Sequence, residues 1–185
     1  MAEAFTNKLV RAAGIVSTTD STAAIGANAT AITNIQTANL HVGDLVVNQN
    51  FRAGAKIRTI TNSTSVVVDR ASTNTSATTS QIVKFLGVTT AFTSSGTEKS
   101  ILIGGTFANL TENDINVSVE IFDNSAAGTA NSTSLLASDI PIPSGSSFVI
   151  SEAGKTVLEQ NDQVKIYCDV ANAVDVTLAI LSGVS

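Results

Sequence analysis

Histidine occurs once in the 185 residues, as His41 in the run His41-Val42-Gly43-Asp44, and cysteine occurs once, as Cys168. Serines and aspartates abound, so a Ser–His–Asp relay, in which an imidazole takes the proton of an attacking hydroxyl, is formally available. The chain contains no Gly-x-Ser-x-Gly elbow to present such a hydroxyl, and Ser144-Gly145-Ser146 has the wrong spacing for one. His41 is therefore read as a turn residue. A tetrahedral zinc site would need His41, Cys168 and distant carboxylates to converge, and a lone cysteine supports neither a disulfide framework nor a thiolate cluster. Cys168 alternates with Val164, Ile166 and Val170, the setting of a small buried hydrophobe rather than a reactive thiol.

Oxygen-rich stretches raise the question of calcium. Glu112-Asn113-Asp114 and Asp123-Asn124 lack the twelve-residue EF-hand pattern with its sixth-position glycine and terminal glutamate, and they read as solvated turns. Gly26 and Gly104-Gly105 stand in no phosphate-loop context. Lys8, Arg11, Lys56, Arg58, Arg70 and Lys84 make the first half locally basic, but Glu3, Asp20, Asp44 and Asp69 are interspersed and the net charge is −5. That balance provides no basic field for phosphate binding, so nucleic acid is not expected as a partner. The expectation is a non-enzyme with no catalytic, cofactor-binding or metal residues and no cofactor.

The elements that would carry any site are strands. Threonine (24), serine (21) and asparagine (15) fill about a third of the chain, hydrophobic residues reach 43% and charged residues only 14%. Apolar content this high argues against disorder, and branching at Cβ in Val, Ile and Thr favours a pleated surface. The first residues do not form a secretory signal, and no apolar run approaches the roughly 18 residues of a membrane helix. Synthesis in a cytoplasm and no membrane partner are expected.

Three segments emerge. Residues 1–19 read as an N-terminal arm that becomes a strand; Phe5, Leu9, Ala12, Ala13 and Val16 have loosely helical spacing, whereas 13–19 look extended. Gly14-Ile15-Val16-Ser17-Thr18-Thr19 is echoed by Gly87-Val88-Thr89-Thr90, as though two similar strands bracket an inserted module. Residues 20–90 read as that small β module, with strands near Ala31, at Leu45-Val46-Val47 after a turn at 41–44, and at 81–86. Between them, 56–60 and 65–68 form a hairpin. The polar stretch 72–80 is a loop or splayed hairpin.

Residues 91–185 show the clearest alternation. Ile115, Val117, Val119 and Ile121 interleave with Asn116, Ser118 and Glu120 as a half-buried strand, and 164–170 and 174–180 repeat the rhythm. Ile101 and Ile103 lie on a strand expected to end at Gly104-Gly105. Residues 123–134 read as a turn-rich loop, 152–155 as a turn, and Ile140-Pro141-Ile142-Pro143 as an edge or connection. The expected fold is all-β: a small N-terminal β module followed by an immunoglobulin-like or jelly-roll-type β-sandwich.

The runs His41-Val42-Gly43-Asp44-Leu45-Val46-Val47, Arg52-Ala53-Gly54-Ala55-Lys56-Ile57 and Ser65-Val66-Val67-Val68-Asp69 resemble a small β module of tailed-bacteriophage virion proteins. Pro141-Ile142-Pro143-Ser144-Gly145, Val157-Leu158-Glu159-Gln160-Asn161-Asp162 and the closing strand 174–180 are similar to the C-terminal sandwiches of small phage structural proteins. These motifs encode turns and strands, so the resemblance carries over no functional residue. It implies a non-enzymatic virion component of the neck, tail or capsid exterior, assembled in the host cytoplasm. Its partners would be other virion proteins, namely neck, tail or major capsid subunits, and further copies of itself in a homo-oligomer, with the arm adding a strand to a neighbouring subunit. The alternative is a secreted or surface binding module for carbohydrate or a receptor. Such modules usually stack exposed aromatics on sugars, whereas this chain has no Trp and one Tyr.

Overall fold

The computed structural model describes residues 3–124 and 133–184, so most of the turn-rich loop expected at 123–134 lies outside the described residues. The protein is all-β, with no helix among the described residues. It folds as two compact units. One joins Met1–Gly14 to Thr89–Ser185; the other is the continuous segment Ile15–Val88. Residues 1–19 are thus not one element: strand β1 (Ala4–Ala13) belongs to the first unit and β2 (Ile15–Ile25) to the second. The helical spacing near the start comes to nothing, because β1 is held by a ladder to the last strand of its own chain.

The discontinuous unit contains β1, β8 (Thr89–Thr93), β9 (Lys99–Asn109), β10 (Ile115–Phe122), β11 (Thr133–Ile142), β12 (Ser147–Leu158), β13 (Gln163–Cys168) and β14 (Val174–Val184). They form two four-stranded antiparallel sheets, ordered β1-β14-β9-β12 and β11-β10-β13-β8. Counted within the unit, the first sheet takes its first, eighth, third and sixth strands and the second its fifth, fourth, seventh and second. That double Greek key is a jelly roll. Of the two sandwich types expected, the strand order selects it.

Alternation explains why these residues form these strands. Ile115, Val117, Val119 and Ile121 turn inward from β10, Val164, Ile166 and Cys168 from β13, and Val174, Val176, Leu178 and Ile180 from β14, all at most 9% exposed. Burial of each large aliphatic side chain is worth about 1.5–3 kcal/mol relative to exposure, and neither sheet could leave that face wet. Phe107 and Phe148, directly paired across β9 and β12, have ring centroids 6.0 Å apart, within the range of favourable tilted contacts. Pro141 lies on β11, an edge strand, where its missing N–H need not face a neighbour.

Two boundaries differ from the sequence reading. The strand expected to stop at Gly104-Gly105 runs on to Asn109. The glycines are there for proximity: a Cβ on Gly104 would lie 2.8 Å from the Ile150 carbonyl oxygen, and one on Gly105 would lie 2.8 Å from Leu178 Cδ2. The turn expected at 152–155 lies instead inside β12, whose register against β9 shifts between Ser151 and Thr156.

The continuous unit is one antiparallel sheet. It comprises β2, β3 (Ala31–Thr33), β4 (Leu45–Val47), β5 (Ile57–Asn62), β6 (Ser65–Val68) and β7 (Thr78–Gly87), in the order β4-β7-β2-β3-β6-β5. The hairpin read at 56–68 is β5–β6. A core of Ile25, Ile32, Ile35, Phe51, Ile57, Val66, Val68, Val83 and Phe85 supports it. Its first and last strands pair, Ile15 opposite Gly87 and Val16 opposite Leu86, so the insertion closes at its own base.

Val119 is fully buried at the centre of β10. Val119→Asp should lower stability by more than about 3 kcal/mol through an unpaired buried charge, read as a fall in the denaturation midpoint of the jelly roll.

Candidate functional site

His41 and Cys168 belong to different units, and each has a structural setting within its own. Val42 and Gly43 occupy a tight turn closed by the Asp44 N–H donating to the His41 carbonyl at 3.1 Å, and Gly43 has φ +98°, the left-handed value that a type II turn needs at its third position. The His41 N–H donates in turn to Asp44 Oδ2 at 3.0 Å. Asp44 is buried, whereas the imidazole is 80% exposed and 4.0 Å from that carboxylate. This is a turn lock. Cys168 is buried, opposite Val117 in the β10–β13 ladder.

The carboxylates serve loops as well. Asp114 Oδ1 accepts from the Ser144 N–H at 3.3 Å, and Asn109 Nδ2 donates to the carbonyls of Asn113 and Ile142. Buried Asp162 accepts from the N–H groups of Asn124 and Glu159 at 3.0 and 2.9 Å. Among the described residues no three His, Cys, Asp or Glu side chains group as metal ligands. The basic residues are divided: Lys8 and Arg11 are on β1, while Lys56, Arg58, Arg70 and Lys84 are in the other unit. Arg70 is held by Asp69 at 3.2 Å and donates to the Ala53 carbonyl at 3.0 Å.

Some polar residues expected to face water do not. Ser118 and Glu120 are 7% and 1% exposed, on the face of β10 opposite the apolar core. The Tyr167 hydroxyl, also buried, donates to Glu120 Oε1 at 3.1 Å, and Ser118 Oγ accepts from the Asp139 N–H at 2.8 Å. Buried polar groups are tolerated when paired in this way. Period-two alternation identifies the two faces of a strand but is silent on whether the polar one is also covered.

One face of the jelly roll exposes apolar residues in rows. Directly paired residues share a sheet face, so the ladders place Phe5, Leu181, Ile101 and Val157 in one row across β1, β14, β9 and β12. Leu9, Thr177, Thr106 and Val149 form a second row, with Asn7, Ala179, Gly104 and Ser151 between them. This face points away from the jelly-roll core. Phe5 is 77% exposed, Leu9 70%, Val149 52% and Val157 51%. Clustered exposed apolar residues of this kind mark contact surfaces. Their signal in the sequence is the alternation Phe5-x-Asn7-x-Leu9, which the loosely helical spacing of the same stretch obscured. Beside this face β1 is an edge strand, its outer backbone edge paired with no strand among the described residues.

No protein-family model, curated protein or solved structure matches the chain.

In the continuous unit Asp20 holds an irregular stretch of strand. Asp20 Oδ1 accepts from the Thr22 N–H and hydroxyl, both at 2.8 Å, and Oδ2 from the Gln36 N–H at 3.1 Å, at a register shift in β2. Burial pushes this carboxyl's pKa up, but the three hydrogen bonds together outweigh it and hold the value below the ordinary carboxylate range. A depressed folded-state pKa gives stability that is present above the unfolded value and lost as pH falls through the folded one. Asp20→Ala should therefore destabilise this unit by about 2 kcal/mol near neutrality. The gap from wild type should narrow as the pH is taken below about 4, measured by denaturant titration across pH.

Proposed function

We propose that the protein is a non-enzymatic structural component of a bacteriophage virion, part of the neck, tail or capsid exterior, working through repeated subunit contacts. The observation that carries this reading is the apolar outer face of the β1-β14-β9-β12 sheet, bordered by the open outer edge of β1, on a jelly roll whose Asn109, Asp114 and Asp162 side chains hold turns and loops. Jelly rolls serve viral capsids and lectins alike, so fold alone does not decide between them. The distribution of aromatic rings favours the capsid-like role. A sugar platform needs several exposed rings, and Phe5 is the one exposed aromatic residue among the described residues, while Tyr167 is buried. The sequence resemblance to phage virion modules points the same way.

A contact protein of this kind needs no pocket. One modest interface repeated around a symmetric ring or lattice accumulates affinity, because closed symmetry presents the same patch at every subunit. Its partners are other virion proteins and further copies of itself, met during assembly in the host cytoplasm.

Mass spectrometry of gradient-purified particles from cultures producing the chain tests the proposal. The expected result is the protein in the particle fraction at a fixed, multi-copy ratio to the major capsid protein. Recovery solely from the particle-free supernatant would overturn it.

A further inference from the structure

We infer that the outer edge of β1 pairs with β1 of a second copy, antiparallel and centred on Asn7, joining two four-stranded sheets into one continuous sheet of eight. This deepens the contact role proposed above, on which it rests for its purpose, by naming one partner. The expectation of an arm donated whole to a neighbour changes accordingly. Both strands stay with their own chains, since β1 is already laddered to β14 from Ala4 opposite Ser182 to Val10 opposite Val176. Only the free edge is shared.

The register follows from complementarity. Glu3, Phe5, Asn7, Leu9 and Arg11 alternate along the segment, with Phe5, Asn7 and Leu9 on the outer face. An antiparallel pair preserves hydrogen bonding only when residues of like parity oppose one another, which leaves registers two residues apart to choose from. Centring on Asn7 sets Phe5 against the partner's Leu9 and Glu3 against the partner's Arg11, and the two-fold axis repeats both contacts. Moving the centre by one residue toward either end sets Phe5 against the partner's Asn7 or the partner's Arg11 instead. Opposite charges and large apolar pairs directly across a ladder are favourable, and mismatches are not. Glu3 and Arg11 are both exposed, and no ion pair engages either within the described residues.

The far end of the strand sets the length of the pairing. Between Val10 and Ala13 the β1–β14 register shifts, Ala12 has φ +51°, and its N–H donates to Asp175 Oδ1 at 2.7 Å. Such a bulge bends a strand and ends regular pairing. The regular edge therefore runs from Ala4 to Val10, the segment that the Asn7-centred register uses in full, with Glu3 and Arg11 flanking it. Charged residues at an edge commonly prevent pairing with other sheets; here their placement admits one partner and register.

Light scattering of the isolated full chain over a range of concentrations, with site-directed cross-linking, tests the inference without any particle. Wild type should show a concentration-dependent dimer. Arg11→Glu should weaken it about tenfold, because two symmetric like-charge pairs replace two attractive ones, and Glu3→Arg combined with Arg11→Glu should restore it. Asn7→Cys should form an intermolecular disulfide under mild oxidation, since opposed Cα atoms of an antiparallel pair lie about 4.5–5.5 Å apart and the native Cys168 is buried. Ala4→Cys should not cross-link, its partner copy being six residues distant, about 20 Å. A monomer at every concentration would overturn the inference, as would a dimer indifferent to the charge exchange and refractory to cross-linking at Asn7. A dimer that behaves as expected from a chain never found in particles would sink the virion assignment and leave the pairing intact.

Discussion

Everything in the larger unit depends on two sheets each having one face that water rejects. The aliphatic rows of β10, β13 and β14 are driven together because each buried Val, Leu or Ile contributes more than the ordering of its side chain removes. The jelly-roll path follows from this mating, since most consecutive strands are sent to opposite sheets and the connections must span the sandwich rather than a hairpin. Within that frame the glycines of β9 and the bulges of β1, β10 and β12 are local adjustments that let a regular ladder pass through crowded places.

The same physics, left incomplete, defines the surface. A sheet that is apolar on both sides is half satisfied by the sandwich. The outer rows ending at Phe5 and Leu9 on one flank and at Val149 and Val157 on the other keep the remainder. Meanwhile the side chains best suited to chemistry are committed to backbone: Asp20, Asp44, Asp162 and Asn109 each tie down N–H groups or carbonyls of turns and bulges. A polar side chain engaged in holding a loop is a poor proton carrier, which accords with the contact role proposed above.

Much of the fold was legible in the sequence because period-two alternation is a direct image of burial. Val117 and Val119, Val164 and Ile166, and Val174 to Ile180 fall inward as their spacing requires. The hairpin of β5 and β6, the turn at His41–Asp44 and the edge position of Pro141 were likewise encoded locally, in turn chemistry and in a missing donor. What was illegible is non-local. Which sheet a strand joins is decided by partners far along the chain, so β1 looked like a free arm although its mate, β14, lies at the opposite end. Gly104-Gly105 looked like a terminus because close approach and chain reversal use the same residue. Burial of Glu120 beneath a tyrosine hydroxyl depended on Tyr167, forty-seven positions away.

The way the insertion is closed bears on the entropy of the sandwich. Gly14 and Thr89 meet within the jelly roll, the Gly14 N–H donating to Thr89 Oγ1 at 3.3 Å, while Ile15 and Gly87 meet within the insertion. Were the intervening segment slack, bringing Gly14 to Thr89 would cost the sandwich roughly 4 kcal/mol of loop closure. A segment closed at its own base, Ile15 opposite Gly87, shortens the effective loop to the few residues at that base. The pairing at the base of the insertion thus sits directly between the chain ends that lead into the first and second strands of the jelly roll.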